Sequence, residues 1–453
     1  MTTEIKSIAE SEEVLEGQLT LAHENREIIK VSDVKFRSDV YPRIETSAVT
    51  VQKYAEDLSV LPPIKVNQHY ELIDGWHRWT AHKKNEVEEI AVEIIQTSSD
   101  AHLLELAIEA NATHGLQLSQ EDKRNMARSI YHVTPESERE AKKKHLAKIL
   151  SVSERTVREW TSRIDKDAKE ARNKRIFELW MQCYTQEEIA ERENVDKAQV
   201  NRICCEMADL PKLNKSDQSA AEHATDFEIP IYNVWKQKEK TSGSSHFGNS
   251  EVKWLDNLLY LYTNPFDIVV DPFGGGGSTI DLCKKRFRRY WVSDRKPIVE
   301  RENEIRKHDL IAEDGSINLP SLPRWKDVKL VYLDPPYWKQ AENQYSTDPT
   351  DLANMPLEQF NNVLSGIING FAKKLKNGEP KYIALIIQPT QWKSENREFV
   401  DHVGDMLRLV KLPVKMRYSV PYESQQCNAQ MVEWAKANKQ CLVLTREIVV
   451  WEV

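Results

Sequence analysis

Asp334-Pro335-Pro336-Tyr337 sets a carboxylate and an aromatic ring at the end of the apolar run Lys329-Leu330-Val331-Tyr332-Leu333. The run reads as a buried strand. Two prolines cannot continue its ladder, so the chain turns there and presents both side chains. Such a pair is either a plain strand-ending turn or, together with a second constellation, a site for one kind of chemistry. An exocyclic amino group is a poor nucleophile because its lone pair is delocalised into the ring. Asp334 and the Pro335 carbonyl would accept its hydrogens and favour a more tetrahedral nitrogen. Tyr337 would stack on a base rotated out of a duplex, and Trp338 would extend that wall.

A second constellation lies upstream. Ile268-Val269-Val270 reads as another buried strand, breaking into Asp271-Pro272-Phe273-Gly274-Gly275-Gly276-Gly277-Ser278-Thr279 and then a helix. Glycines let backbone approach a bulky ligand at a strand's carboxyl end, where a helix N-terminus offers free N–H groups. Asp271 would meet an ammonium group or a water bound to it. Asp294 ends the next strand, Arg289–Ser293, where an acid can accept hydrogen bonds from ribose hydroxyls. The turn alone would also fit another kind of nucleotide loop, but it lacks the G-K-[ST] of a phosphate loop, which argues against ATP hydrolysis.

Together these stretches resemble the cofactor motif (Asp271 to Thr279) and catalytic motif (Asp334 to Tyr337) of DNA amino-methyltransferases. The resemblance covers roughly residues 230 to 453. It implies S-adenosylmethionine as cofactor, a doubly wound Rossmann-like domain, and methyl transfer to adenine N6 or cytosine N4, with no metal. Adenine is preferred, because the motif is Asp-led. His246 to Ser250 is similar to the segment that closes over the methionine moiety in relatives, which implies a cofactor role for His246. The cofactor motif comes first here, unlike one branch of the family. Only about 115 residues follow Tyr337, so a large separate target-recognition domain is not expected in the C-terminal part.

These motifs need strands and helices to place them. Strand-like runs at Ile268–Val270, Tyr290–Val292, Leu330–Leu333, Tyr382–Ile387 and Val443–Trp451 alternate with helices and predict an α/β domain over 251–453. Residues 209–250, polar and containing Ser242-Gly243-Ser244-Ser245, read as a linker and lead-in. Residues 117–208 are almost wholly helical, 31–116 are mixed α/β, and 1–30 form a polar arm.

Asp74-Gly75-Trp76-His77-Arg78-Trp79-Thr80-Ala81 lies where a strand gives way to a helix. Gly75, His77 and Arg78 would converge there on a phosphate-sized anion, or else Arg78 and His77 bridge to a neighbouring carboxylate. The stretch resembles the Gly-x-x-Arg-x-x-Ala box of ParB-type domains, with His77 in place of the box's first arginine. Asn111 to Leu116, including His114, is similar to a second ParB box. The resemblance implies a small α+β domain of ParB/sulfiredoxin type that binds a nucleotide triphosphate in some members. Sulfiredoxin chemistry is excluded, since its cysteine would fall at Trp76.

Two helix-turn-helix patterns follow. Lys144–Leu150, Ser151–Ser153 and Glu154–Ile164 make the first, with Arg155, Thr156, Arg158 and Glu159 exposed; the bland reading is a helical spacer. The second places Gln199, Asn201 and Arg202 outward on Lys197–Glu206, after a helix capped by Thr185. The net charge of −8 argues against nucleic acid, but between Arg139 and Arg175 there are 13 Lys/Arg against 6 Asp/Glu. A local basic block is the better indicator, and Lys142-Lys143-Lys144 is expected to contact phosphate.

The composition, 40% hydrophobic and 30% charged over 453 residues, fits two to four globular domains. No apolar stretch approaches a membrane span, and six scattered cysteines without a C-x-x-C pair suggest neither zinc nor disulfides. The expectation is a cytoplasmic enzyme acting on double-stranded DNA, without a membrane partner. A paired half-site arrangement would suit a homodimer, although no dimerisation stripe stands out. Two rivals stay open: a non-catalytic DNA binder that keeps the methyltransferase fold as scaffold, and a ParB-like nucleotide switch or nuclease.

Overall fold

The computed structural model describes residues 25–38, 41, 46–114, 119–236, 251–322, 324–341, 343, 346–376, 378–391, 399–421 and 429–453. The chain divides into two units, Met1–Ala171 and Arg172–Val453.

In the first unit, β1 (Arg26–Lys30), α1 (Ala48–Glu56), β2 (Ile64–Asn67), β3 (Leu72–Asp74), α2 (Trp76–Lys84) and β4 (Glu89–Ile95) form a four-stranded sheet with two helices. The strand order is β1-β4-β2-β3, with β2 and β4 parallel and the other pairs antiparallel. Val31, Ile64, Val66, Leu72, Trp79, Ile90 and Val92 make its core. The expected polar arm ends earlier than residue 30, because Arg26–Lys30 pairs with β4. Only Ile29 of that strand is buried, which leaves almost no apolar signal in the sequence.

Four helices follow: α3 (Asp100–His114), α4 (Gln120–Val133), α5 (Arg139–Ile149) and α6 (Glu154–Met181). Ser119 starts α4 with a reciprocal capping box to Asp122, satisfying two otherwise orphaned donors. Ile108, Met126, Ile130, Tyr131, Leu146, Leu150, Val157 and Trp160 form one helical core. The turn between α5 and α6 falls at Ser151, in left-handed backbone at φ 50°. Helix α6 runs 28 residues, well past the expected stop at Ile164. No glycine or proline interrupts it, so nothing local ends the helix there.

The unit boundary lies within α6, so the second helix pair, α7 (Gln186–Glu193) and α8 (Lys197–Met207), belongs with the second unit. Thr185 and Glu188 form a capping box, Asn194 turns at φ 50° and Asp196 caps α8, close to the sequence expectation. The end of α6, which packs against this pair, is tied into the sheet domain. Arg289 donates to the Trp180 carbonyl (3.1 Å) with its guanidinium 4.2 Å from the Trp180 ring, and Arg306 donates to the Gln182 carbonyl (2.8 Å).

The remaining elements are α9 (Lys215–Ala221), α10 (Val252–Tyr262), β5 (Ile268–Asp271), α11 (Ser278–Lys285), β6 (Arg289–Asp294), β7 (Arg306–Lys307), β8 (Val328–Leu333), α12 (Leu357–Leu375), β9 (Tyr382–Ile387), the small hairpin β10 (Thr390–Gln391) and β11 (Phe399–Val400), α13 (His402–Leu409), β12 (Val414–Pro421), α14 (Ala429–Asn438) and β13 (Thr445–Glu452). Seven strands form one sheet in the order β12-β13-β9-β8-β5-β6-β7. From β9 to β7 all neighbours are parallel, while β13 and β12 are antiparallel. Strand β5 is buried at every position, which suits a central parallel strand covered on both faces. One face packs on α12 and α13, the other on α10 and α11.

Residues 215–235, expected as linker, are part of this fold. Arg286, fully buried, is held by Asp226 (2.6 Å) and by both carboxylate oxygens of Asp256 (2.7 and 2.8 Å), and His223 lies 2.9 Å from the same acid. Trp235 stacks on Tyr418 (4.0 Å), and Trp235 and Asn233 hydrogen-bond to Ser419 on β12. The segment looks like a linker because the residues it contributes are polar partners for a buried arginine.

Candidate active site

The carboxyl ends of β8, β5 and β6 are neighbours in the sheet, and each carries an acid: Asp334, Asp271 and Asp294. Here the strand order reverses, because β6 lies on one side of β5 and β8 on the other. Such switch points leave a crevice for ligands. Asp271 is 2% exposed. Its carboxylate accepts from the Phe273 N–H (2.9 Å) and the Thr279 hydroxyl (2.6 Å). Burial pushes its pKa up to about 7, with Asp334 and Asp294 adding repulsion against those two donors.

The glycine turn is held against β6. Gly274 donates to the Ser293 carbonyl (2.8 Å) and Gly275 to Asp294 (3.0 Å). A Cβ at Gly274 would meet Val292 at 2.6 Å and the Ser293 carbonyl at 3.1 Å, so only glycine lets the turn lie this close. Gly277, at φ 82°, opens α11 without a side-chain cap, and Ser278 and Thr279 form its first turn. Pro272 and Phe273 bridge from strand to turn, Phe273 packing on the core; Gly276 completes the turn.

After β8 the chain turns through Pro335 and Pro336. The Tyr337 hydroxyl donates to Asp334 (3.2 Å). Its ring packs on the α10/α11 side, with the Arg446 guanidinium 5.0 Å from the ring centre. Arg446, on β13, also lies 5.7 Å from the Trp254 ring. Sequence reading missed this residue, since its only signal is position on a strand whose partners come from elsewhere. Trp338 does not extend an aromatic wall. It is buried, its indole donating to the Met355 carbonyl (2.8 Å) and its ring edge-on to His402.

In the first unit, Gly75 opens α2 at φ 103°. Arg78 donates to the Pro62 and Pro63 carbonyls (2.8 and 2.7 Å) and pairs with Asp74 (2.7 Å). The His77 Nε2 accepts from the Ser47 N–H (2.9 Å). Both side chains are thus engaged within the domain, Arg78 on a carboxylate and two carbonyls and His77 on a backbone N–H. His114 ends α3. His246 and the rest of the expected closing segment lie outside the described residues.

On α6, Arg155 is almost fully exposed and pairs with Glu159 (3.1 Å); Arg158 is also exposed. Arg155, Arg158, Glu159 and Ser162 line a shallow groove. Thr156 is turned back to Ser153 at the start of the helix. The lysine triplet departs from expectation. Lys143 is buried and bound to Glu140 (2.8 Å) and Asp165 (3.0 Å), and Lys142 pairs with Glu105. Helical spacing turns these two inward against α3 and α6, away from any phosphate. On α8, Arg202 pairs with Glu206 (3.3 Å), and the Gln199 N–H is capped by Asp196 (2.7 Å).

Comparison with known proteins adds an independent observation. A family model described as DNA methylase matches residues 115–300. That span holds Asp271, the glycine turn and Asp294, and ends before Asp334. The type II methyltransferase M.BamHI of Bacillus amyloliquefaciens is 31% identical over 68 residues, which is 14% of this chain and 16% of that protein's length. Among solved structures, a pNOB8-like ParB N-domain is 15% identical (TM-score 0.26), covering 43% of this chain and 88% of that one. An antibiotic-related methyltransferase is 14% identical (TM-score 0.23), covering 44% and 94%. The chromosome-partitioning protein ParB from Caulobacter crescentus, complexed with CTP-γ-S, is 18% identical (TM-score 0.19), covering 30% and 76%. The match to the DNA methylase family model thus spans less than half of the chain, and the chain is similar to that family over residues 115–300.

Proposed function

We propose that the chain is an S-adenosylmethionine-dependent DNA methyltransferase acting on an exocyclic amino group, adenine N6 in preference to cytosine N4. The observation that carries this reading is the meeting of the Asp334–Tyr337 turn and the glycine turn at adjacent parallel strands. The residues fit the cofactor. Asp271 is a buried acid beside an uncapped helix N-terminus, suited to an ammonium group, and Asp294 ends β6 as an acceptor for ribose hydroxyls. Pro272, Phe273, Gly274, Gly276, Ser278 and Thr279 would shape the floor of that site. When bound, S-adenosylmethionine supplies an electrophilic methyl group.

The chain's own residues do the rest. Asp334 and the Pro335 carbonyl orient the amino hydrogens, and Pro336 fixes the turn. Tyr337 holds the extruded base by stacking, with Arg446 behind its ring. Binding of double-stranded DNA is assigned to the first helix pair, read as a helix-turn-helix, through Arg155, Thr156 and Arg158. The sheet domain is read as the Rossmann-like methyltransferase fold.

Purified protein incubated with methyl-labelled cofactor and duplex DNA tests the reading. Label recovered as N6-methyladenine, and lost in Asp334→Ala, is the expected result. Cofactor binding without transfer to any DNA would favour the scaffold reading.

A further inference from the structure

The segment 346–355 reaches the sheet edge at two separated points. At one end, beside the catalytic turn, the Lys339 N–H donates to the Ala353 carbonyl (3.0 Å) and the Trp338 indole to the Met355 carbonyl (2.8 Å). Leu352, Ala353 and Met355 are buried there. At the other end, Arg295, the residue after Asp294, donates to Asp348 (2.5 Å) and the Thr350 hydroxyl (2.8 Å) while pairing with Asp309 (2.8 Å). Asn354 ties the two ends by donating to the Ser346 and Asp348 carbonyls (2.9 Å each). Strand β5 lies between β8 and β6. A segment anchored near both of those strands is therefore within reach of the carboxyl end of β5, where the glycine turn begins.

We propose that Arg295 is a positioning residue that holds residues 346–350 across the cofactor edge and thereby sets how long S-adenosylmethionine stays bound. The inference rests on the cofactor reading above. Arg295 touches neither reacting group; it acts through Asp348 and Thr350. Its planar fork bridges two carboxylates and a hydroxyl at once, which lysine can do only in part.

The test measures cofactor affinity and dissociation rate on the full chain by calorimetry and stopped flow, with melting temperature as a check on folding. Arg295→Ala and Asp348→Ala are each expected to raise Kd about tenfold, chiefly through faster dissociation. The double variant should lose little more than either single one, and Arg295→Lys should recover part of the loss. If Arg295→Ala does not fold, Asp348→Ala carries the test. Wild-type dissociation rates in folded Arg295→Ala, or in Asp348→Ala in its stead, would overturn the proposal while leaving the methyltransferase reading intact. Failure of the wild-type chain to bind the cofactor would overturn both.

Discussion

At the scale of single residues, Asp271 carries the clearest electrostatic consequence. Its folded pKa of about 7 lies above the ordinary 3.8, so the folded chain holds a proton that the unfolded chain releases. Stability contributed by this group therefore falls as pH rises from about 4 to about 7, by up to about 4 kcal/mol. Binding of a cationic ammonium favours the ionised form. Cofactor affinity should rise through the same window, with proton release visible in calorimetry across buffers of different ionisation enthalpy. Asp271→Asn should flatten both profiles and weaken binding; an unchanged pH dependence would show that another group titrates. Arg446 gives a second prediction. Arg446→Met should leave cofactor affinity within about threefold and lower kcat about tenfold, because the ring behind the base loses its backing. An equal effect on cofactor Kd would instead mark Arg446 as structural to the whole edge.

The elements show why some expectations stood close to the structure and others did not. Helices α7 and α8 were legible because Thr185, Glu188, Asn194 and Asp196 each perform a local task at a fixed offset. Strands β5 and β8 were legible as buried runs ending in prolines. Strand β1 was not, since its one buried residue gives no period. The linker reading of 215–235 failed for a different reason: Asp226 and Trp235 gain their meaning from Arg286 and Tyr418, distant in sequence. For the acids, chain order indicated strand ends but not which strands are neighbours, and Arg446 needed that adjacency to be seen. Gly75 and Arg78 mark a turn whose partners the sequence left open. With Arg78 tied to Asp74 and two proline carbonyls, Arg78→Ala should destabilise the first unit by about 2 kcal/mol in urea unfolding. A folded variant of unchanged stability that had lost nucleotide affinity would instead restore the anion-site reading.

Across the whole molecule, the two helix pairs differ in charge, and the proposed DNA contact rests on that difference. Residues 186–207 carry six acidic and three basic side chains, whereas 139–164 carry eight basic and three acidic. The first pair should therefore supply most of the DNA affinity, even with Lys142 and Lys143 turned inward. Replacing Arg155 and Arg158 by alanine should weaken duplex binding and reduce the salt slope by about two. Replacing Gln199 and Arg202 should cost much less; the reverse ranking would move DNA contact to the second pair. The central claim, that the edge formed by β8, β5 and β6 methylates a base amino group, is tested most directly by methylation-sensitive sequencing. DNA from cells expressing the chain is compared with DNA from cells expressing Asp334→Ala. N6-methyladenine at a defined motif, absent from the variant, is the predicted result; a mark that persists in Asp334→Ala, or no mark in either, would contradict it.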